Sequence, residues 1–239
     1  MADDRDWIAE TQSTKDCFLD LMLHKTDWKL VKDSDGIAVF SRKSEQMAGC
    51  NMYKSVVELE ASPERCFAML CPMKPYRIQW DTMLEKLEAR KLAEYCYLVY
   101  HGTHPVAKGL VSARDSVDAI AIGETAEHFW LAAASVIHSD YPESSKYVRT
   151  HQYPAGYLVE KIPSDPNRCK LSMLFHIDLN TSNLANFVLD KVKPRLMVQK
   201  MNALRKGLST IEIPADQLGL LDAEENSERK DSNNLPSIG

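Results

Sequence analysis

The chain has 239 residues, of which 44% are apolar, and a formal charge of −5. That is the composition of a globular protein with a sizeable core, and it excludes a disordered or fibrous chain. From Pro214 onward six acids face two bases, so that segment carries −4, residues 1–213 carry −1, and no basic nucleic-acid footprint is visible.

Ile8, Phe18, Leu21 and Met22 among polar neighbours predict an amphipathic helix within the first two dozen residues. Residues 28–43, WKLVKDSDGIAVFSRK, then read as two short strands around Asp33-Ser34-Asp35-Gly36, where glycine supplies a positive φ. The same aspartates lack the following ligands of a calcium loop. Residues 50–60 make a third strand, and Ser62-Pro63 opens a helix that must stop by Pro72. A second short helical segment carries Tyr76 to Asp81.

Six strand-like runs follow, at 83–92, 94–102, 114–124, 128–137, 146–161 and 168–179, with hairpin-length connections that predict an antiparallel sheet. In the last run Cys169, Leu171, Met173, Phe175 and Ile177 alternate onto one face. After Asn180-Thr181-Ser182 a helix of about 27 residues runs to Leu208, roughly 40 Å long. Phe187, Pro194, Met197 or Val198, Met201, Leu204 and Leu208 form its apolar stripe, with a bend expected at Pro194. Lys191, Lys193, Arg195, Lys200, Arg205 and Lys206 are assigned to the opposite face. The predicted fold class is α+β: a curved antiparallel sheet of about nine strands gripping the long terminal helix, with a cavity between them. Residues 1–213 form the domain, and 214–239 an acidic, disordered tail.

The opening residues lack the pattern of a secretory signal and no run reaches 18 apolar residues, so a cytoplasmic, monomeric protein is expected. Six cysteines without a CxxC spacing predict free, mostly buried thiols. His101 and His104 have no nearby cysteine to complete a metal set, and no metal or other cofactor is expected.

Several short pieces stand in order: Tyr76-Arg77-x-x-Trp80-Asp81, Ser112-Ala113-Arg114-Asp115, Lys146-Tyr147-Val148-Arg149, Pro154-Ala155-Gly156-Tyr157 and Phe175-His176-Ile177-Asp178-Leu179. Together they resemble the START family, the lipid transfer domains related to steroidogenic acute regulatory protein, over about Asp6 to Ile213. The resemblance implies a helix-grip cup that holds one lipid and has no enzymatic activity. The terminal helix and the loop from Gly102 to Leu110 would act as its lid. Physical chemistry favours enclosure, because exposing about 400 Å² of apolar lipid surface costs roughly 10 kcal/mol.

Within the family the chain is most similar to the small soluble sterol-binding branch, so cholesterol or a related sterol is the leading ligand. The buried acid and arginine of the steroidogenic branch would fall near His101 and on Ile120, and neither charge is present. A sterol hydroxyl would then need His101, a tyrosine or a water. In the phosphatidylcholine-carrying branch the same Tyr-Arg-x-Gln-Trp-Asp pattern places its arginine and aspartate at the headgroup, and a guanidinium suits a phosphate. Arg77 and Asp81, one helical turn apart, either brace the short helix or bind such a head.

Alternation places Tyr95, Tyr97, Val99, His101, Ile120, Ile122, Met173 and Phe175 on the inner face. Phe187 joins them from the helix. Trp130, flanked by Ala132 and Ala134, is either a cavity wall or a core residue, and Arg114-Asp115 reads as fold-determining. Lys191, Lys193, Arg195 and Lys200 either contact an anionic membrane transiently or form a solvated face. Two other classes remain: an enzyme on a related cup, for which no paired acid and base or nucleophile motif is found, and a lipid-sensing module acting through the tail.

Overall fold

The computed structural model describes residues 5–47, 50–105, 109, 111–218 and 220, with side chains at 183–185, 187 and 188 left aside. Helix α1 spans Trp7–Leu19, capped by the Asp6 carboxylate accepting from the Ala9 N–H, and continues as one π-helical stretch, Asp20–His24. Strands β1 (Lys29–Ser34) and β2 (Ile37–Lys43) turn at Asp35 and Gly36, both at positive φ. That is the turn the Asp-Gly pair demands. After β3 (Asn51–Leu59), α2 (Pro63–Leu70) starts at Ser62, whose Oγ accepts from the Arg65 N–H with Pro63 in the first turn. Four residues, Arg77–Trp80, then form α3.

Strands β4 (Leu84–Ala93), β5 (Cys96–Thr103), β6 (Arg114–Glu124) and β7 (His128–Ser135) follow as hairpins. The predicted run 146–161 splits into β8 (Val148–Arg149), β9 (His151–Gln152) and β10 (Ala155–Lys161). The run 168–179 splits into β11 (Cys169–Phe175) and β12 (Ile177–Asp178). The main sheet has the order β1-β2-β3-β11-β10-β7-β6-β5-β4, and β12 pairs with β9 in a small second sheet. Two-residue β8 pairs parallel with β6, while the other described ladders are antiparallel. Helix α4, Asn183–Thr210, closes the fold and contains Pro194.

Strand parity divides the core into two layers. Val39, Val57, Val99, Ile120, Leu131, Val159 and Leu171 point inward to α2, α3 and the α4 stripe Met197, Met201 and Leu204. Opposite-parity residues Met52, Ala121, Trp130, Ala132, Leu158 and Leu174 face outward and pack on Phe18, Leu21 and Met22 of the amino-terminal segment. A cup whose sheet is apolar on both faces needs both covers. At Gly156 β10 approaches β7 so closely that a Cβ would lie 1.9 Å from the Leu131 carbonyl oxygen.

The end of α4 is tied to the strand–helix layer. Arg65 donates to the Leu208 and Ile211 carbonyls at 3.1 and 2.5 Å, satisfying acceptors that a helix terminus leaves open. Beyond Ile213, Ala215–Gln217 form a 3₁₀ turn, Lys74 donates to the Gln217 carbonyl at 2.5 Å, and the Tyr76 hydroxyl meets Gln217 Oε1. Residues 219 and 221–239, the bulk of the predicted tail, lie outside the described residues.

Candidate functional site

A cavity lies between the inner sheet face and α4, with 1310 Å³ of empty space including its open mouth. Leu84, Val111, Met173, Leu189, Leu196 and Met197 supply apolar wall. Arg77, His101, Ser116, Tyr157 and Lys200 interrupt it with polar groups. An apolar wall with a few convergent polar side chains is the form of a site for an amphipathic molecule.

The stretch 76–81 is where these polar groups are anchored. Trp80 donates from Nε1 to the Met69 carbonyl at 2.7 Å, locking α3 onto α2. Gly207 lets α4 press on the same ring, since a Cβ there would come within 2.7 Å of Trp80 Cβ. Arg77 and Asp81 are thereby buried, at 6% and 2% exposure, with Arg77 Nε 3.8 Å from Asp81 Oδ2. Lys200 of α4 reaches the same oxygen at 2.6 Å. Burial alone would raise the Asp81 pKa, but Lys200 and Arg77 together hold it below the usual carboxylate range. Burial works against the Lys200 charge as well, and the Asp81 charge outweighs it and lifts the ammonium pKa. Arg77 also donates to the Tyr157 hydroxyl at 3.3 Å and lies over that ring, 5.4 Å from its centre. Its Nε is buried without a hydrogen-bond partner.

His101 and Asp118 stand on adjacent strands β5 and β6, Nδ1 to Oδ2 at 3.4 Å. Asp118 accepts from the Ser116 and Ser135 hydroxyls at 2.5 and 2.8 Å. Complete burial nevertheless pushes its carboxyl up to about 6, the two hydroxyls offsetting only part of that cost. Burial, with Arg77 and Lys200 nearby, drives His101 down to about 3, so its imidazole is neutral. The Nδ1 to Oδ2 approach is therefore close but not an ion pair, and Nδ1 is without a hydrogen-bond partner.

Arg114 and Asp115 also line the cavity while holding its frame. Arg114 donates to the Leu179 and Ser112 carbonyls, and Asp115 accepts two bonds of 2.9 Å from Arg149 on β8. These contacts tie β6 to β8 and to the chain entering α4.

Of the predicted site residues, Arg77, His101, Met173 and Phe175 line the cavity. Asp81 sits behind Arg77. Tyr97, Val99, Ile120 and Ile122 are on the predicted inner face but belong to the solid core beside the cavity. Trp130 is not a cavity wall: even-numbered β7 residues point outward, and its ring packs in the layer beneath α1. Phe187 falls among the side chains outside the described residues, as does part of the predicted lid loop, at 106–108 and 110.

The membrane-contact set needs correction. Lys191 and Arg195 are exposed, but Lys193 is buried and donates to Asp190 at 2.8 Å, and Lys200 is turned to Asp81. Positions 193, 197 and 200 share one helical face, and all three line the cavity. The sequence reading missed Lys200, Tyr157, Ser116 and Asp118 as inward polar groups. For Asp118 the signal was present, because it shares the parity of Ile120 and Ile122.

Among the described residues no group of three or more metal-ligating side chains occurs, and no helix is long and apolar enough to cross a membrane. The START domain family model matches residues 11–208. The chain is 32% identical to StAR-related lipid transfer protein 5 of Bos taurus over 177 residues, 72% of this chain and 82% of that protein. It is 25% identical to StAR-related lipid transfer protein 6 of Homo sapiens over 212 residues, 88% of this chain and 95% of that protein. In solved structures, human StAR-related lipid transfer protein 5 superimposes with a TM-score of 0.79 at 23% identity, over 85% of this chain and 96% of that one, which shows the same fold. With the matched segment spanning nearly all of the described cup, the chain belongs to the START domain family.

Proposed function

We infer that this protein is a non-enzymatic carrier of one amphipathic lipid of sterol size, taken up from one membrane and delivered to another. The observation that carries this reading is the largely apolar cavity lined by His101, whose imidazole is neutral and whose Nδ1 lacks a hydrogen-bond partner. Apolar wall removes the lipid body from water, and a neutral imidazole suits an uncharged hydroxyl. The relatives named as lipid transfer proteins support the same direction. Exposed Lys191 and Arg195 on α4 suit brief contact with an anionic bilayer.

A second reading, phospholipid carriage, draws on the buried Arg77 Nε without an acceptor. Native mass spectrometry after incubation with mixed cell-membrane lipids separates the two. One sterol per chain supports the first; one phosphatidylcholine supports the second; a chain that retains no lipid overturns both.

A further inference from the structure

Lys54 projects from β3 onto the outer face of the sheet, the side that Met52 shares, opposite Phe40 of β2 and Leu174 of β11. Its ammonium lies 4.5 Å from the centre of the Trp28 ring and 6.0 Å from that of Phe40. Among the described residues it has no hydrogen-bond acceptor and no carboxylate at ion-pair distance. The acids around it have cations of their own. Glu160 pairs with Lys170 at 3.0 Å, Glu58 of the same strand with Arg168 at 2.8 Å, and Asp27, next to Trp28, with Arg42 at 2.7 Å. Burial first, and then the positive charge of Lys170 on β11, lower the Lys54 pKa, and Glu160 offsets only part of this. A ring face attracts the ammonium, yet it accepts no hydrogen bond in place of the water it displaces.

We propose that Lys54 is a nucleophilic amine and the preferred position at which this chain takes an acyl group from a thioester. Desolvation and a neighbouring cation are the two devices that free a lysine amine near neutral pH, and Lys54 is half-buried, so a small electrophile still reaches it. The ammonium first gives a proton to water. The amine nitrogen then attacks the thioester carbonyl carbon, a C–N bond forms as the C–S bond breaks, and the thiolate leaves with the proton that the nitrogen loses. The product is a neutral amide over Trp28, and one of two neighbouring positive charges is gone from the outer face. This chemistry lies across the sheet from the cavity and is separate from lipid carriage.

The test incubates the full chain with a limiting amount of S-acetyl-N-acetylcysteamine, a plain acetyl thioester, from neutral to alkaline pH. Peptide mass spectrometry reads the acetyl occupancy of each lysine. At neutral pH Lys54 should acetylate several-fold faster than the exposed Lys29 and Lys43, and its rate should level off at a lower pH than theirs. Lys170→Gln removes the neighbouring charge and should narrow this lead, whereas Lys206→Gln on the exposed side of α4 should leave it unchanged. In urea, where the rings and Lys170 no longer surround the amine, the lead should vanish. Lys54 reacting no faster than Lys29 and Lys43 in the folded chain, a lead that persists in urea, or one untouched by Lys170→Gln would overturn the proposal. The wild-type comparison of folded and unfolded chain stands even where a variant fails to fold.

Discussion

His101 Nδ1 stands 3.4 Å from Asp118 Oδ2 across the β5 and β6 ladder, and the two groups are displaced in opposite directions. Burial, with Arg77 and Lys200 nearby, keeps the imidazole deprotonated down to about 3, and burial keeps the carboxyl protonated up to about 6. For His101 the unfolded chain binds the extra proton below about 6.5, so its contribution to stability falls on acidification. For Asp118 the folded chain binds it below about 6, so its contribution rises.

The first prediction follows from that opposition. Between pH 7.5 and 5 the two slopes largely cancel in the wild type. His101→Gln should become more stable on acidification across this range, and Asp118→Asn less stable, each by about 1–3 kcal/mol. Urea unfolding at several pH values reads both slopes, and parallel profiles for the two variants would contradict the assignment.

Asp81 is the counter-charge for buried Arg77 and half-buried Lys200, so its loss should cost more than the loss of either cation. Asp81→Asn should destabilise by about 3–5 kcal/mol, leaving Arg77 and Lys200 side by side in the interior. Lys200→Met should cost less, since Arg77 still faces the carboxylate. Chemical denaturation of the two variants gives the order directly, and a reversed order would refute the shared-carboxylate arrangement.

Trp130 separates stability from ligand binding. Truncation to alanine should lower stability by about 3–5 kcal/mol through loss of packing beneath α1. Because the ring faces away from the cavity, lipid affinity of the remaining folded protein should be unchanged when measured well below the melting point. A selective loss of lipid affinity would return Trp130 to the site.

Membrane contact through the exposed α4 residues predicts a kinetic effect. Lys191→Glu with Arg195→Glu should slow transfer from anionic vesicles several-fold at low salt, with little effect on neutral vesicles or on thermal stability. Stopped-flow transfer of a fluorescent sterol between vesicles measures this, and equal slowing with both vesicle types would point to a non-electrostatic cause.

Much of the architecture could be read before any coordinates. The Asp35-Gly36 turn, the Ser62-Pro63 helix start and the inner parity of β5, β6 and β11 are local consequences of backbone sterics, capping and the two-residue period of a strand. Alternation made His101, Met173 and Phe175 legible, and the Tyr-Arg-x-x-Trp-Asp pattern pointed to Arg77. Trp130 obeyed the period too, but alternation does not say which side of a sheet is the cavity when α1 supplies a second apolar cover.

By itself, then, the sequence determined the order of elements, their turns and the pattern that marks a helix-grip cup, because each of these is written within a few residues of chain. The tertiary structure alone decided which charges are paired. Lys200 lies 119 residues from Asp81 in sequence and 2.6 Å from it in space. On helical spacing it belongs equally to a basic surface or to a buried stripe, and only the docking of α4 against α3 turns it inward. There the cost of burying its charge is met by Asp81, whose carboxylate it shares with Arg77.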